Sequence, residues 1–591
     1  MYLAALFVLT VFAAQLVRVQ AFDASRVQEA ALAKRLTTEV LLPTRGRILD
    51  SKGNVLAASV ERRTVTVNQT AVKAFRQYVD GRLVTTGVVG AAQALAPLLH
   101  TTPDALVPQL MGTSGYRILA KGVTPLEWRQ IEALGIPGVL SEVTFSREYP
   151  AGQSAASLVG FVTDDQSAGG GLEWAFDADL AGTQGKDVFE QARDGKAIPW
   201  GQQDSTPAVD GKDVQLTIDA DLQWYATNAL AQQVERMGAK SGYLVVEEVK
   251  TGKLRAVASY PTFDPTKVRQ ASPGDLGNRA FQEVYEPGST AKVMSIAAAI
   301  EQGQISPTTP VIVPNRLKRS DKTLKDSHDH DTLNLTVAGV LAKSSNIGTI
   351  LSTEGVPAST MDQYFRAFGL GAKSGIGFPG ESAGLLTPAA ELNGSQRYTM
   401  LFGQGIAVTA IQATGVFQTI ANGGVRLTPS LVEGVTAPGG EQATPAPTAG
   451  TRVVSTSTAT QVSQMLEEVT LPGGTAPMVA MPGYRVAGKT GTANRIEEGR
   501  GYAGGGYTVS FVGYAPAEDP KFVISVVVQR PALSNPAGGA ICGPVFKDVM
   551  TYALQSYQVP PTGQAPVSIP LTTGPLSPGA PGVIYDRKST G

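Results

Sequence analysis

Lys489-Thr490-Gly491-Thr492, entered through the strand-like run Tyr484-Arg485-Val486-Ala487-Gly488, closes a series of three short motifs that governs how this chain is read. The other two lie upstream, Ser289-Thr290-Ala291-Lys292 and Ser344-Ser345-Asn346, so the order is S-x-x-K, S-x-N, K-T-G. The steps between them are about 55 and about 145 residues. Order and context carry the weight, because the chain contains decoys. Lys250-Thr251-Gly252 is also K-T-G, but it sits between the β-rich runs Tyr243 to Val249 and Leu254 to Tyr260 and reads as a hairpin turn. Lys373-Ser374-Gly375 falls in the glycine-rich run Phe368 to Gly380 and reads as a loop.

Working outward, Asp219 is a good N-cap for a helix through about Met237, and two strands follow. A helical region rich in small residues then runs from Ser289 to about Thr470. The last third returns to strands, Val486 to Ala493, Tyr507 to Tyr514 and Phe522 to Gln529, before a final helix, Pro544 to Leu554, opened by proline. Strands, helices, then strands closed by a helix give an α/β (α+β) domain in which helices cover an antiparallel sheet. Upstream, Thr44 to Asn68 reads as strand and turn, about 71 to 135 as helical, and Leu158 to Val162 as extended. Asp204 to Lys212, polar with Pro207 and Gly211, reads as a hinge. Beyond Pro560 the chain is rich in Pro, Gly, Ser and Thr, the composition of a disordered tail. The expected divisions are 1–22, 23–210, 211–560 and 561–591.

The first of these is an apolar run. Tyr2 to Val17 carries no charge and would extend about 24 Å as a helix, with Val19 and the flanking Arg18 and Gln20 completing a single transmembrane span. No basic segment precedes it and no small-residue cleavage site precedes Asp23, so an uncleaved anchor is expected rather than a signal peptide. Arg18 after the span, with no Lys or Arg before it, reverses the positive-inside bias, as though a short cytoplasmic tail were missing or assembly overrode the rule.

Composition excludes several classes of function. The 49 Lys+Arg against 50 Asp+Glu leave no basic field for a phosphate backbone, so nucleic acid is not an expected partner. One cysteine, Cys542, rules out an intrachain disulfide framework, and no Cys/His cluster has metal-ligand spacing, so neither a metal nor another cofactor is expected. The three histidines are His100, His328 and His330. A Ser-His-Asp triad would need one of them, but His100 follows an amphipathic run and His328-Asp329-His330-Asp331 reads as a solvated loop.

The motifs supply a different acyl-transfer chemistry. A serine hydroxyl needs activation. Pro287-Gly288 breaks the chain before Ser289, and Ala291 to Ile300 is strongly helix-forming, which places Ser289 at a helix N-terminus with Lys292 one turn on along the same face. A buried Lys292 with a lowered pKa can take the serine proton. Ser344 can relay a proton toward a leaving amine, and Asn346 can both donate to and accept from a peptide. Lys489 offers a positive charge and Thr490 and Thr492 offer hydroxyls to a carboxylate, while Gly491 lies between them on the same strand. The backbone N–H groups of Ser289 and Thr492 could form an oxyanion hole. The substrate implied is a peptide with a free C-terminal carboxylate.

With these motifs in place the chain resembles a class B penicillin-binding protein, a membrane-anchored D,D-transpeptidase of peptidoglycan synthesis. The resemblance extends to Arg45-Gly46-Arg47-Ile48-Leu49-Asp50, Arg147-Glu148-Tyr149-Pro150 and Gly171-Leu172-Glu173 in the N-terminal part. It also includes Ala258 to Pro265 and Phe402-Gly403-Gln404-Gly405-Ile406 in the catalytic part. It implies that Ser289 is the acylated nucleophile, Lys292 the general base, Ser344 and Asn346 the second motif, and Lys489, Thr490, Gly491 and Thr492 the substrate-binding third. It further implies the β-lactamase/transpeptidase-like fold behind an elongated pedestal, no cofactor, peptidoglycan stem peptides as substrates and β-lactams as covalent inhibitors. The ending Tyr552-Ala553-Leu554 to Gln558-Val559-Pro560-Pro561-Thr562 is similar to the septal, division-specific group, penicillin-binding protein 3. Elongation-type members share every catalytic motif and stay open as an alternative, as do a D,D-carboxypeptidase, a β-lactamase and a non-catalytic β-lactam sensor. Partners implied are a polytopic septal glycosyltransferase and other division proteins, with the chain in the cell membrane as a single-pass protein and its catalytic domain extracytoplasmic.

Overall fold

The computed structural model describes residues 1–18, 20, 29, 32, 33, 35–79, 81–163, 165–191, 198–445, 449–495, 501, 502 and 504–587. It divides into two compact units, Met1–Arg47 with Ala58–Glu148 and Ala178–Asp213, and Ile48–Ala57 with Tyr149–Asp177 and Val214–Gly591. The division is therefore interleaved, whereas the sequence suggested contiguous blocks. Asp50 shows why a short N-terminal segment joins the second unit. Its carboxylate is fully buried and accepts from the backbone N–H groups of Lys52 and Asn54 and from that of Ala220, at the start of a helix of that unit.

In the first unit, the long strand Val55–Val67 pairs antiparallel with Val139–Glu148 from Ala58 onward and with Arg117–Val123. Its inward valines, Val65 and Val67, pack with Ala91, Leu95, Leu106 and Ile131. Those residues come from the helices Gly87–Leu95, Pro103–Leu110 and Pro125–Ala133. The 71–135 region expected as helical thus also contains strands, the hairpin Arg76–Val79 and Arg82–Thr85 among them. A separate three-stranded sheet joins Leu36–Leu41, Gly185–Glu190 and Gln203–Thr206.

The second unit is built on one antiparallel sheet of five strands: β1 (Ser241–Glu248), β2 (Leu254–Tyr260), β3 (Ala487–Asn494), β4 (Tyr507–Ala515) and β5 (Phe522–Gln529), in the order β2-β1-β5-β4-β3. Lys250-Thr251-Gly252 is the turn between β1 and β2, with Gly252 at φ 70°. The central strands do not alternate apolar with polar; Val523, Ile524, Val526, Val527 and Val528 are all buried. Helices on both faces explain this. On one side α1 (Ala220–Arg236) packs against α7 (Gly538–Ser556). The rest of the helical cover comprises α2 (Lys292–Glu301), α3 (Val337–Ala342), α4 (Asn346–Thr353), α5 (Ala410–Ala421) and α6 (Thr456–Thr470). The Asp219 carboxylate caps α1 as its sequence suggested, accepting from Asp221 and Leu222 N–H.

Three local expectations change. Leu158 to Val162 was expected to be extended, but Gln153–Val159 is a helix whose Ala155 to Val159 are all buried. A helix that is covered all round loses its amphipathic period, and a short apolar run then looks the same as a strand. The last helix starts at Gly538, not Pro544, and Gly538 comes so close to the sheet that a Cβ there would lie 2.3 Å from Gly491 O. The segment after Pro560 is also not free of structure among the described residues. It lacks helix and strand, yet Ile569 N donates to Glu468 Oε1 at 2.8 Å, Ile584 N donates to Pro310 O at 2.9 Å, and Thr336 N donates to Leu571 O at 3.1 Å. Polar composition leaves such a segment without a core of its own, but not without partners on a neighbouring one.

At the N-terminus, Tyr2–Val17 is a 16-residue helix, exposed throughout. Among the described residues no helix is long and apolar enough to cross a membrane. Val19, expected to extend the span, lies outside the described residues.

Candidate active site

Gly288–Ala291 forms one 3₁₀ turn that runs directly into α2, so Ser289 stands at a helix start and Lys292 is the first residue of α2. Gly288 makes this approach possible. It lies at φ 52°, and a Cβ there would meet Thr492 O at 2.8 Å. The turn thereby sits directly against β3, the edge strand that carries the third motif. Ser289 is half-buried; Lys292 is completely buried.

The second motif lies between α3 and α4. Ser345 caps α4, its Oγ accepting from Gly348 N at 2.8 Å. Ser344 before it adopts φ 61°, a left-handed conformation that costs a non-glycine residue about 1–3 kcal/mol. In that conformation both its carbonyl and its hydroxyl are within reach of Lys292. Lys292 Nζ lies 2.6 Å from Ser344 O and 3.3 Å from Ser344 Oγ. From β3, Lys489 Nζ donates to the same Oγ at 2.9 Å. Thr490 Oγ1 lies 3.3 Å from Lys489 Nζ and 3.0 Å from Thr475 Oγ1. Asn346 is half-buried, its Nδ2 donating to Lys325 O at 3.1 Å. Gly491 is buried and Thr492 is exposed beside the Ser289 turn. Because β3 is a sheet edge, one row of its backbone N–H groups points away from β4.

All eight residues singled out by motif are thus gathered in one region of the second unit. Ser344 is the hub, held by both lysines. Burial lowers Lys292 to about 7, against an opposing pull from the Asp326 carboxylate. Burial, and then the charge of Lys292, hold Lys489 well below the ordinary ammonium range. A buried amine near a serine at a helix start, with a second lysine close by on an edge strand, is suited to covalent transfer of an acyl group from a substrate that ends in a carboxylate.

Two carboxylates at this site carried no motif. Glu286, three residues before Ser289, accepts from Gly405 N and from Tyr502 Oη, each at 2.9 Å. It fastens the Phe402 to Ile406 segment beside the Ser289 turn, where Gly288 N also donates to Gly403 O at 3.1 Å. Asp326 is the other; its only sequence signal was its place just ahead of the His328 to Asp331 run. Two of the histidines lie against carboxylates. His100 is exposed and pairs with Glu127 at 3.0 Å, whereas His330, expected in a solvated loop, turns inward onto Asp326 at 3.1 Å. Cys542 is buried in α7, as a packed residue. Among the described residues no group of His, Cys, Asp or Glu could hold a metal ion.

Comparison with known proteins agrees with this architecture along the chain. The penicillin-binding protein transpeptidase domain matches residues 242–551, and the penicillin-binding protein dimerisation domain matches residues 40–216. The chain is 34% identical to penicillin-binding protein PbpB of Mycolicibacterium smegmatis over 582 residues, 94% of this chain and 90% of that protein. It is 30% identical to the peptidoglycan D,D-transpeptidase FtsI of Escherichia coli, over 92% of this chain and 87% of that one. A crystal structure of penicillin-binding protein 3 from Mycobacterium tuberculosis in complex with aztreonam superposes with a TM-score of 0.70 at 30% identity, covering 91% of this chain and all of that one. A dimerisation domain followed by a transpeptidase domain, matched by relatives along nearly their whole length, places this chain among the class B penicillin-binding proteins.

Proposed function

We propose that the protein is a peptidoglycan D,D-transpeptidase acting through an acyl-enzyme on Ser289. The observation that carries this reading is the convergence of Lys292 and Lys489 on Ser344 Oγ, beside the turn that presents Ser289. Lys292, neutral for part of the time near pH 7, takes the Ser289 proton as Oγ attacks the D-Ala-D-Ala carbonyl of a stem peptide. The oxyanion is held by the N–H groups of Ser289 and Thr492. The proton passes through Ser344 to the leaving nitrogen, and terminal D-Ala departs. Lys489, Thr490 and Thr492 bind the terminal carboxylate, and Asn346 holds the peptide backbone. An amine from a neighbouring strand then attacks the acyl-enzyme and forms the cross-link. β-Lactams acylate the same serine.

The reading extends to a septal role, supported by the similarity of the ending Tyr552 to Thr562 to the septal group. It includes an anchor at 1–22, supported by the exposed, uncharged helix Tyr2–Val17, with the pedestal taken broadly as 23–210 and the catalytic domain as 211–560. The catalytic domain then stands outside the cytoplasmic membrane, next to a polytopic glycosyltransferase and other division proteins. Incubation of the full chain with a stem pentapeptide and an amino acceptor tests the activity. Release of D-Ala with formation of the amide product is expected; release with hydrolysis alone would assign a carboxypeptidase instead.

A further inference from the structure

Asp326 is buried at 9% exposure, and its carboxylate accepts from three donors and lies against a histidine ring. Its Oδ2 accepts from Ser345 Oγ at 2.6 Å, and its Oδ1 accepts from Asn346 N at 2.5 Å and Ile347 N at 3.0 Å. His330 Nε2 lies 3.1 Å from Oδ2, and the other ring nitrogen, Nδ1, lies 2.7 Å from Asp331 O. One carboxylate therefore grips the three residues that follow Ser344, at the point where the chain leaves its left-handed conformation and enters α4. The N-terminus of a helix also favours an anion at this place.

From this geometry we infer that Asp326, oriented by His330, is a positioning residue for the proposed acyl transfer, fixing the second motif and setting the charge balance around the catalytic lysines. The inference rests on the function proposed above. Asp326 touches neither Ser289 nor the substrate site directly. It acts through Ser345 and Asn346, whose backbone fixes where Ser344 meets Lys292 and Lys489. It also acts by its charge, since its carboxylate opposes the lowering of Lys292 by burial. The titratable groups that bear on this balance are the His330 ring from the same loop, Lys292 from α2 and, beyond Lys292, Lys489 from β3. The His328 to Asp331 run, which looks from its composition like a solvated loop, thereby has one member that serves the site.

The test uses the full chain and the rate of acylation by a fluorescent penicillin across a pH series, with thermal unfolding measured beside it. In Asp326→Asn, two N–H donors keep an acceptor but the charge is gone. We expect the rate to fall roughly 10- to 100-fold, and the acid limb of the pH profile to move to lower pH as Lys292 loses a neighbouring negative charge. An unchanged rate, or a loss with the acid limb left in place, overturns the inference. His330→Ala removes only the outer partner from a partly exposed position, so it reports even where Asp326→Asn unfolds. A several-fold slower acylation with native unfolding temperature supports the inference, and wild-type rates at every pH overturn it. Complete absence of penicillin adduct in the unaltered protein would instead defeat the proposed function itself.

Discussion

Lys489 Nζ donates to Ser344 Oγ at 2.9 Å, from a strand 145 residues further along the chain. Lys292 Nζ reaches the same oxygen at 3.3 Å from the opposite side of the sequence, so one hydroxyl couples the proposed general base to the lysine proposed to bind the substrate carboxylate. Neither lysine is exposed to water. In the proposed reaction a proton passing through Ser344 therefore moves between groups held in place before substrate arrives, which is what general acid–base catalysis requires.

Loss of that hydroxyl separates activity from stability. Ser344→Gly removes the relay, and acylation by penicillin should fall by about 10²–10⁴-fold. Glycine also accepts φ 61° without strain, so the variant should unfold later than Ser344→Ala, by about 1 kcal/mol. Parallel acylation kinetics and thermal unfolding of the two variants check this; equal stabilities would contradict the strained reading of Ser344.

The pH dependence follows from Lys292. Its pKa is lowered to about 7, and only the neutral amine can accept the Ser289 proton. Acylation should therefore be on a plateau above about pH 7 and fall roughly tenfold per unit below it. An apparent pKa near the ordinary ammonium value, measured by stopped-flow acylation, would remove Lys292 from the role of base.

Glu247 offers a test of fold energetics away from the site. It is buried in β1, and burial pushes its pKa up to about 8, so the folded protein holds a proton that the unfolded chain releases near pH 4.5. Stability contributed by this group is complete below about pH 4.5 and is lost as pH rises toward 8, on the order of 3 kcal/mol by pH 7. Glu247→Gln should flatten this slope and raise the unfolding temperature at pH 7 to 8. A variant with the same slope as the parent would contradict the assignment.

The C-terminal segment should behave as part of the catalytic unit. Ile312 N donates to Ile584 O at 2.8 Å, and Asp586 pairs at 3.0 Å with Arg319, a residue only 2% exposed that also binds Glu354. Truncation after Gln564 should leave the Ile312 and Thr336 amides without acceptors and speed their hydrogen exchange. Unchanged exchange at both would show that the segment is dispensable.

Much of this arrangement can be read from residue order. Ser289 and Lys292 lie three apart at a helix start, and the Lys489 strand has a local pattern of its own, so both motifs are visible before folding. The decoy at Lys250 is separable because its flanks form a tight hairpin. Asp326 and Glu286 were hidden for a physical reason: each acts by accepting hydrogen bonds from backbone N–H groups brought near by tertiary structure, and no spacing encodes that. The tail after Pro560 was misjudged because composition reports whether a segment can build a core, whereas Ile569 and Ile584 lean on one built elsewhere. The helix Gln153–Val159 was mistaken for a strand because burial on every side removed its period.

In the proposed reaction Ser289 becomes acylated with Lys292 as its base. Intact mass and peptide mapping after incubation with labelled penicillin test it most directly. One adduct per chain is expected, located on Ser289, absent in Ser289→Ala and formed far more slowly in Lys292→Ala. An adduct that persists in Ser289→Ala, or no adduct on the unaltered protein, would contradict it.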